Sequence, residues 1–91
     1  MRTEQEKIKI QKIADFADKS LLIVDDDSPF RDRLARAMSK KGFQVIQAES
    51  VKMGISEARN SFPAFAVVDL RLGDGSGLEV VREVQRLKKD S

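Results

Sequence analysis

Two short apolar runs, each ended by aspartate, constrain the fold more than any other feature of the chain. Leu21-Leu22-Ile23-Val24 precedes three consecutive aspartates at positions 25–27, and Phe65-Ala66-Val67-Val68 precedes Asp69. Runs of this length without polar alternation are typical of strands buried on both faces, as in a parallel sheet covered by helices. Both runs are therefore predicted to be sheet strands whose carboxyl ends carry acids.

Helical patterns separate these strands and a third strand, predicted over Phe43 to Ala48. The signals at the helix ends are, in chain order, Ser28-Pro29 with Gly42, Ser50 with Asn60, and Ser76 with Glu79 in capping-box spacing. Strands that alternate with helices through short loops predict a parallel sheet with right-handed crossovers. The predicted fold class is α/β, a doubly wound parallel sheet with three βα units.

The first 19 residues form a separate region in front of these units. Its apolar residues are spaced like one face of a helix and are Ile10, Ile13, Ala14 and Ala17. We therefore predict an N-terminal amphipathic helical extension over residues 1–19 and a partial domain over residues 20–91.

Composition excludes several function classes. The 91 residues allow one small domain, and the chain contains no cysteine, histidine, tryptophan or tyrosine. Disulfides, thiol chemistry, histidine triads and histidine metal sites are thereby excluded. The net charge of +2 comes from interspersed acids and bases, which gives no nucleic-acid footprint. The apolar runs are far shorter than the roughly 20 residues that cross a bilayer, so the expectation is a soluble cytoplasmic protein.

The acids at the two strand ends predict a cation site if the strands are neighbours. In an open α/β sheet, ligands bind beyond the carboxyl ends of the strands. At about 5 Å and an effective dielectric near 20, each pair of carboxylates repels by on the order of 3 kcal/mol, so a cluster needs a counter-charge. Oxygen ligands alone favour Mg²⁺. The alternative is that these acids are helix caps and solvated loop residues. Asp27 is better interpreted as part of the entry into the next helix than as a ligand, and Ser28 as the cap of that helix.

The glycine-rich loop from Gly73 to Gly77 follows Asp69. It matches neither a P-loop nor a dinucleotide-binding fingerprint, so it is interpreted as a turn followed by a helix cap.

The sequence resembles the receiver domains of two-component response regulators. The resemblance rests on Leu21 to Asp26, Ala66 to Leu70 and Gly77-Leu78-Glu79. It implies that Asp25 and Asp26 hold Mg²⁺, that Asp69 is the phosphoacceptor and also a metal ligand, and that the backbone carbonyl of Arg71 completes the metal shell.

Longer matches resemble the redox-responsive global regulators of the RegA/PrrA/ActR type. They cover Ser20 to Asp27, Gly42 to Val45 and Val68 to Leu78, with Gly73 and Ser76 where most receivers carry proline and aspartate. Receivers have five strands and use a Thr or Ser and a Lys that would lie beyond Ser91. The expectation is thus a receiver truncated after its third βα unit, with impaired acceptor chemistry and no signalling output.

The resemblance also implies the partners. A sensor histidine kinase would donate the phosphoryl group, DNA would be bound only through a C-terminal domain absent here, and no membrane partner is expected. A receiver of this kind is not an enzyme. An open edge of the Phe65–Val68 strand, or the N-terminal helix, would let chains associate into a homo-oligomer.

Two alternatives belong to other function classes. One is a haloacid-dehalogenase-like phosphatase, because residues 25–27 contain a D-x-D pattern after an apolar strand, with Asp25 as nucleophile. Pro29 stands where that motif requires Thr or Val, which weakens this alternative. The other is an interaction module in which the N-terminal helix pairs chains and the acids bind nothing. Labelling at Asp69 would exclude the phosphatase, and binding of Mg²⁺ would exclude the interaction module.

Overall fold

The computed structural model describes residues 18–90, so the predicted N-terminal helix lies outside the described residues apart from its last two positions. The elements are, in order, β1 (Ser20–Val24), α1 (Ser28–Lys40), β2 (Gln44–Ala48), α2 (Val51–Ser61), β3 (Phe65–Val68), β4 (Arg71–Leu72), β5 (Gly75–Ser76) and α3 (Leu78–Asp90). The predicted alternation of strands and helices is confirmed. The β4–β5 hairpin is an addition, since the sequence indicated only a turn there.

The main sheet is parallel and has the strand order β2-β1-β3. β1 is its central strand, and all four apolar residues from Leu21 to Val24 are buried. Val24 is in register with Ala48 on one side and Val68 on the other. The chain therefore leaves β1 and β3 at the same edge of the sheet. This arrangement was predicted from the two apolar runs that each end in aspartate.

The two faces of the sheet are covered by different helices. Leu21 and Ile23 pack with Ala35 of α1 on one face. On the other face, Leu22 and Val24 belong to a larger core with the α2 and α3 residues Val51, Ala58, Val80 and Val84. Successive residues of a strand point to opposite faces, so one unbroken apolar run supplies both cores. This explains why β1 shows no polar alternation.

The helix ends follow the predicted signals with two corrections. The N-cap of α1 is Asp27, whose carboxylate accepts from the Phe30 N–H, whereas Ser28 is the first helical residue. At α3, the Ser76 hydroxyl accepts from the Leu78 N–H, two residues on, instead of from Glu79 as a capping box requires. The Ser28-Pro29 pair predicts Ser28 as the cap, but the carboxylate of Asp27 is a stronger acceptor than a hydroxyl. None of the helices within residues 18–90 has the length and apolar content needed to cross a membrane.

Candidate metal site

Three predicted site residues meet beyond the carboxyl ends of β1 and β3. One carboxylate oxygen from each of Asp25, Asp26 and Asp69 lies within 4.8 Å of the others. The backbone of the sheet enforces this approach, because the Asp69 N–H donates to the Val24 carbonyl at 2.9 Å and the Asp25 N–H donates to the Ala48 carbonyl at 3.1 Å. The hydrogen-bond ladder thus continues one residue beyond β1 and one residue beyond β3, which brings Asp25 and Asp69 close together.

Local hydrogen bonds orient two of these carboxylates. The Oδ1 atom of Asp25 accepts from the Asp27 N–H at 2.9 Å, and the Oδ1 atom of Asp69 accepts from the Arg71 N–H at 3.1 Å. Bonds of this kind, from a carboxylate to a backbone amide two residues on, fix the side chain without a distant partner. Each of these two carboxylates accepts its bond with one oxygen and has a second oxygen that could ligate a cation.

The donor set fits a small divalent cation. Mg²⁺ binds oxygen at 2.0–2.1 Å, so two ligands of one ion lie at most about 4.2 Å apart. The upper separation of 4.8 Å slightly exceeds that limit. Direct ligation by all three acids would need the widest pair to close slightly, whereas an acid that acts through a water can lie further from the ion. Asp26 is exposed while Asp25 and Asp69 are half-buried, so Asp26 is best placed to act through water.

Arg31 is a component of this region that sequence reasoning missed. From the first turn of α1, its Nη1 atom donates to the Asp25 carbonyl at 2.8 Å and its Nε atom donates to the Gln47 side chain at 2.9 Å. The guanidinium thereby joins the loop after β1 to β2. The sequence did contain a signal for this contact. Arg31 is a basic residue in the first turn of a helix that directly follows an acidic loop, and that turn lies beside the loop.

The fourth predicted site residue, Arg71, lies in the β4–β5 hairpin, two residues after Asp69. Arg71 lies in β4, is exposed, and pairs with Ser76 of β5. At the base of the hairpin, the Gly77 N–H donates to the Leu70 carbonyl at 3.0 Å. Residues 73–77 contain the predicted turn, but they also form β5, which folds back on the chain that leaves Asp69. The carbonyl role of Arg71 stays a prediction.

Comparisons with known proteins agree with this architecture. The family model described as "Response regulator receiver domain" matches residues 21–91. The chain is 57% identical over 74 residues to the acid tolerance regulatory protein ActR of Sinorhizobium medicae (strain WSM419), a match that covers 81% of this chain and 38% of that protein. It is 52% identical over 75 residues to the photosynthetic apparatus regulatory protein RegA of Rhodobacter capsulatus, covering 82% of this chain and 41% of that protein.

One solved structure gives the same fold. It is the crystal structure of a response regulator protein from Burkholderia pseudomallei with a phosphorylated aspartic acid, calcium ion and citrate. The TM-score is 0.74 and the identity 34%, over 81% of this chain and 44% of that chain. The chain spans only 38% and 41% of the two curated relatives. Because the family model covers residues 21–91, which is most of the chain, the chain belongs to the response regulator receiver domain family.

Proposed function

We propose that Asp69 accepts a phosphoryl group from a sensor histidine kinase, with Mg²⁺ held by Asp25, Asp26, Asp69 and the Arg71 carbonyl. The observation that carries this proposal is the convergence of three carboxylate oxygens within 4.8 Å at one edge of the sheet. Such a cluster of acids is unfavourable without a counter-charge and favourable with one. A response regulator of 34% identity contains a phosphorylated aspartic acid and a calcium ion, which supports the same pairing of acceptor and cation in this chain.

The proposed reaction is an in-line displacement at phosphorus. An oxygen of the Asp69 carboxylate forms a bond to phosphorus while the bond from phosphorus to the kinase's histidine nitrogen breaks. The electron pair of that bond stays on the imidazole nitrogen, and Asp69 becomes an acyl phosphate. A bound Mg²⁺ would supply positive charge to the transferring oxygens. The chain's own contribution is orientation, since the Arg71 N–H already holds one oxygen of Asp69.

The test is site-specific labelling with a small phosphodonor and Mg²⁺. Intact-mass measurement and peptide mapping should place one phosphoryl group on Asp69, and Asp69→Asn should remove it. Asp32→Asn is the matched control, because Asp32 is an exposed aspartate of α1 outside the cluster. Binding of beryllofluoride, followed through the amide resonances after β3, gives a second readout that needs no stable acyl phosphate. Label on Asp25 or Asp26, or label that persists in Asp69→Asn, would overturn the assignment.

The wider assignments belong to the same proposal. The kinase is the expected partner, the cytoplasm the expected compartment, and DNA would be bound by a region outside this chain. The relatives ActR and RegA carry regulatory names, which supports a role in transcription regulation. Self-association through the open edge of β3 or through residues 1–19 is part of the proposal as well. Labelling at Asp25 with turnover of a phosphate ester would favour the phosphatase alternative instead.

A further inference from the structure

Asp74 holds the amino terminus of α2 from outside that helix. Its two carboxylate oxygens accept from the Val51 N–H at 2.8 Å and from the Lys52 N–H at 3.1 Å. These bonds lower the pKa of Asp74. The next amide, that of Met53, is capped locally by the Ser50 hydroxyl at 3.1 Å. The first turn of a helix leaves its N–H groups without intrahelical partners, so two of these three are satisfied by a residue more than twenty positions further along the chain.

The place of Asp74 in the chain gives this contact a second consequence. Asp74 lies in the turn between β4 and β5, whose strands have two residues each. Two-stranded hairpins are marginal on their own, and one this short needs other anchors. Leu72 is buried in the core and anchors β4, while the two bonds from Asp74 anchor the turn. The hairpin is therefore fixed to α2 as well as to the sheet.

This hairpin carries a group that the proposed site needs. Arg71 is in β4, its N–H holds Asp69, and its carbonyl is the proposed metal ligand. A shift of the hairpin relative to α2 would move the Arg71 backbone and alter the hydrogen bond that orients the Asp69 carboxylate.

We propose that Asp74 is a positioning residue for the metal site, which fixes the β4–β5 hairpin against α2 and so sets the orientation of the Asp69 carboxylate and the Arg71 carbonyl. The proposal rests on the proposed function for the identity of the site. The simpler account is that Asp74 only caps α2. The two accounts differ in what the removal of the Asp74 side chain disturbs. If Asp74 is a positioning residue, both the hairpin and α2 are disturbed, and if it only caps the helix, α2 alone is disturbed.

The chain offers a matched comparison. Ser50→Ala removes one cap from the same helix terminus without touching the hairpin, whereas Asp74→Ala removes two caps and the hairpin anchor. Asp74→Asn is the conservative variant, because an amide oxygen can still accept from one of the two N–H groups. All three are compared with the unaltered chain at a temperature where each is folded by circular dichroism.

Two measurements decide the proposal. Calorimetric titration with Mg²⁺ should show affinity about tenfold weaker in Asp74→Ala, the low end for groups that hold metal ligands in place, a smaller loss in Asp74→Asn, and little change in Ser50→Ala. Without metal, hydrogen exchange of the Gly77 N–H, which bonds to Leu70 across the hairpin base, should accelerate in Asp74→Ala and not in Ser50→Ala.

Each outcome has a distinct meaning. Equal loss of affinity in Ser50→Ala and Asp74→Ala would overturn the proposal in favour of simple capping, as would hairpin exchange that does not respond to Asp74→Ala. Faster exchange with unchanged Mg²⁺ affinity would show that the hairpin does not position the site. If the unaltered chain binds no Mg²⁺, the proposed function fails at its metal site, and hydrogen exchange alone then decides whether Asp74 fixes the hairpin.

Discussion

Gly77 lies so close to Asp69 that a Cβ atom at position 77 would overlap the backbone carbonyl oxygen of Asp69. The same atom would come within 2.8 Å of the Val68 side chain. Backbone cannot yield as a flexible side chain can, so Gly77→Ala should displace either the start of α3 or the chain after β3. We expect a loss of about 3 kcal/mol in the free energy of unfolding, the upper end for overpacked sites, measured by urea denaturation.

Gly73→Ala is the control for this prediction. It lies in the same loop, but a Cβ atom there would meet no heavy atom within 4 Å. Its free energy of unfolding should stay within about 0.5 kcal/mol of the unaltered chain, as for most surface substitutions. If both variants lose a similar free energy of unfolding, contact with Asp69 is not the cause, and the loop disfavours any added side chain for another reason.

Added Mg²⁺ should stabilise the fold through the carboxylates of Asp25, Asp26 and Asp69. Binding to the folded state alone gives about 2.7 kcal/mol when the ion is present at about 100 times its dissociation constant. The melting temperature should therefore rise with Mg²⁺ and much less with NaCl of equal ionic strength. Asp69→Asn should melt higher than the unaltered chain without metal, because repulsion within the cluster is relieved.

The response to Mg²⁺ should also be lost selectively. Asp25→Asn and Asp69→Asn should abolish most of the metal-dependent rise in melting temperature, while Asp32→Asn should keep it. A rise that NaCl reproduces, or one that survives Asp69→Asn, would show that the cation screens surface charge in general and is not bound at the cluster.

The central strand and the meeting of the acids could be predicted because both follow from short-range patterns. The apolar run from Leu21 to Val24 has no alternation, which indicated a strand with helices on both faces. Once β1 and β3 are parallel neighbours, Asp25 and Asp69 must leave the sheet at one edge. The predicted start of β3 at Phe65 and end of α1 near Gly42 are confirmed for the same reason.

The contacts that depend on distant parts of the chain could not be predicted. Arg31 reaching back to the Asp25 carbonyl and Asp74 capping α2 involve side chains whose partners are set by the packing of whole elements. The β4–β5 hairpin could not be predicted because strands of two residues are too short to show a periodic pattern. The need for glycine at position 77 comes from close backbone approach, which composition alone does not distinguish from an ordinary turn.

Glu83 should make the stability of the chain depend on acidic pH. It is 9% exposed, joins α3 to α2 by accepting from Arg59, and also accepts from Arg86 in its own helix. Hydrogen bonds from Arg86 and Arg59, opposed by burial, lower its pKa from 4.5 to about 2. A depressed pKa in the folded state gives stability that is fully present above pH 4.5 and is lost as pH falls towards about 2.

The measurement is the difference in melting temperature between the unaltered chain and Glu83→Gln. It should favour the unaltered chain at neutral pH and shrink between pH 4.5 and about 2, where Glu83 takes up its proton. Glu49→Gln, at an exposed position between β2 and α2, should show no such trend. A difference that does not vary with pH would mean that the two arginines hold a glutamine as well as they hold the carboxylate.

The outer edge of β3 should bring chains together. Within residues 18–90, β3 pairs only with β1, and Phe65 and Val67 on its edge are 46% and 45% exposed. An unpaired apolar edge offers free N–H and C=O groups to another strand, and a lysine there opposes such pairing. We expect light scattering at tens of micromolar to give a mass above that of one chain, and Val67→Lys to lower it.

The control is Phe62→Lys, which removes a 58% exposed aromatic side chain that lies outside the strands. Phe62→Lys and Val67→Lys both make the surface less hydrophobic. If strand pairing causes the association, Phe62→Lys should therefore leave the mass of the assembly unchanged. Deletion of residues 1–17 separates the second route, because association through that segment would disappear in the deletion and persist in Val67→Lys. A single-chain mass for the unaltered protein, the same after the deletion, would exclude both routes.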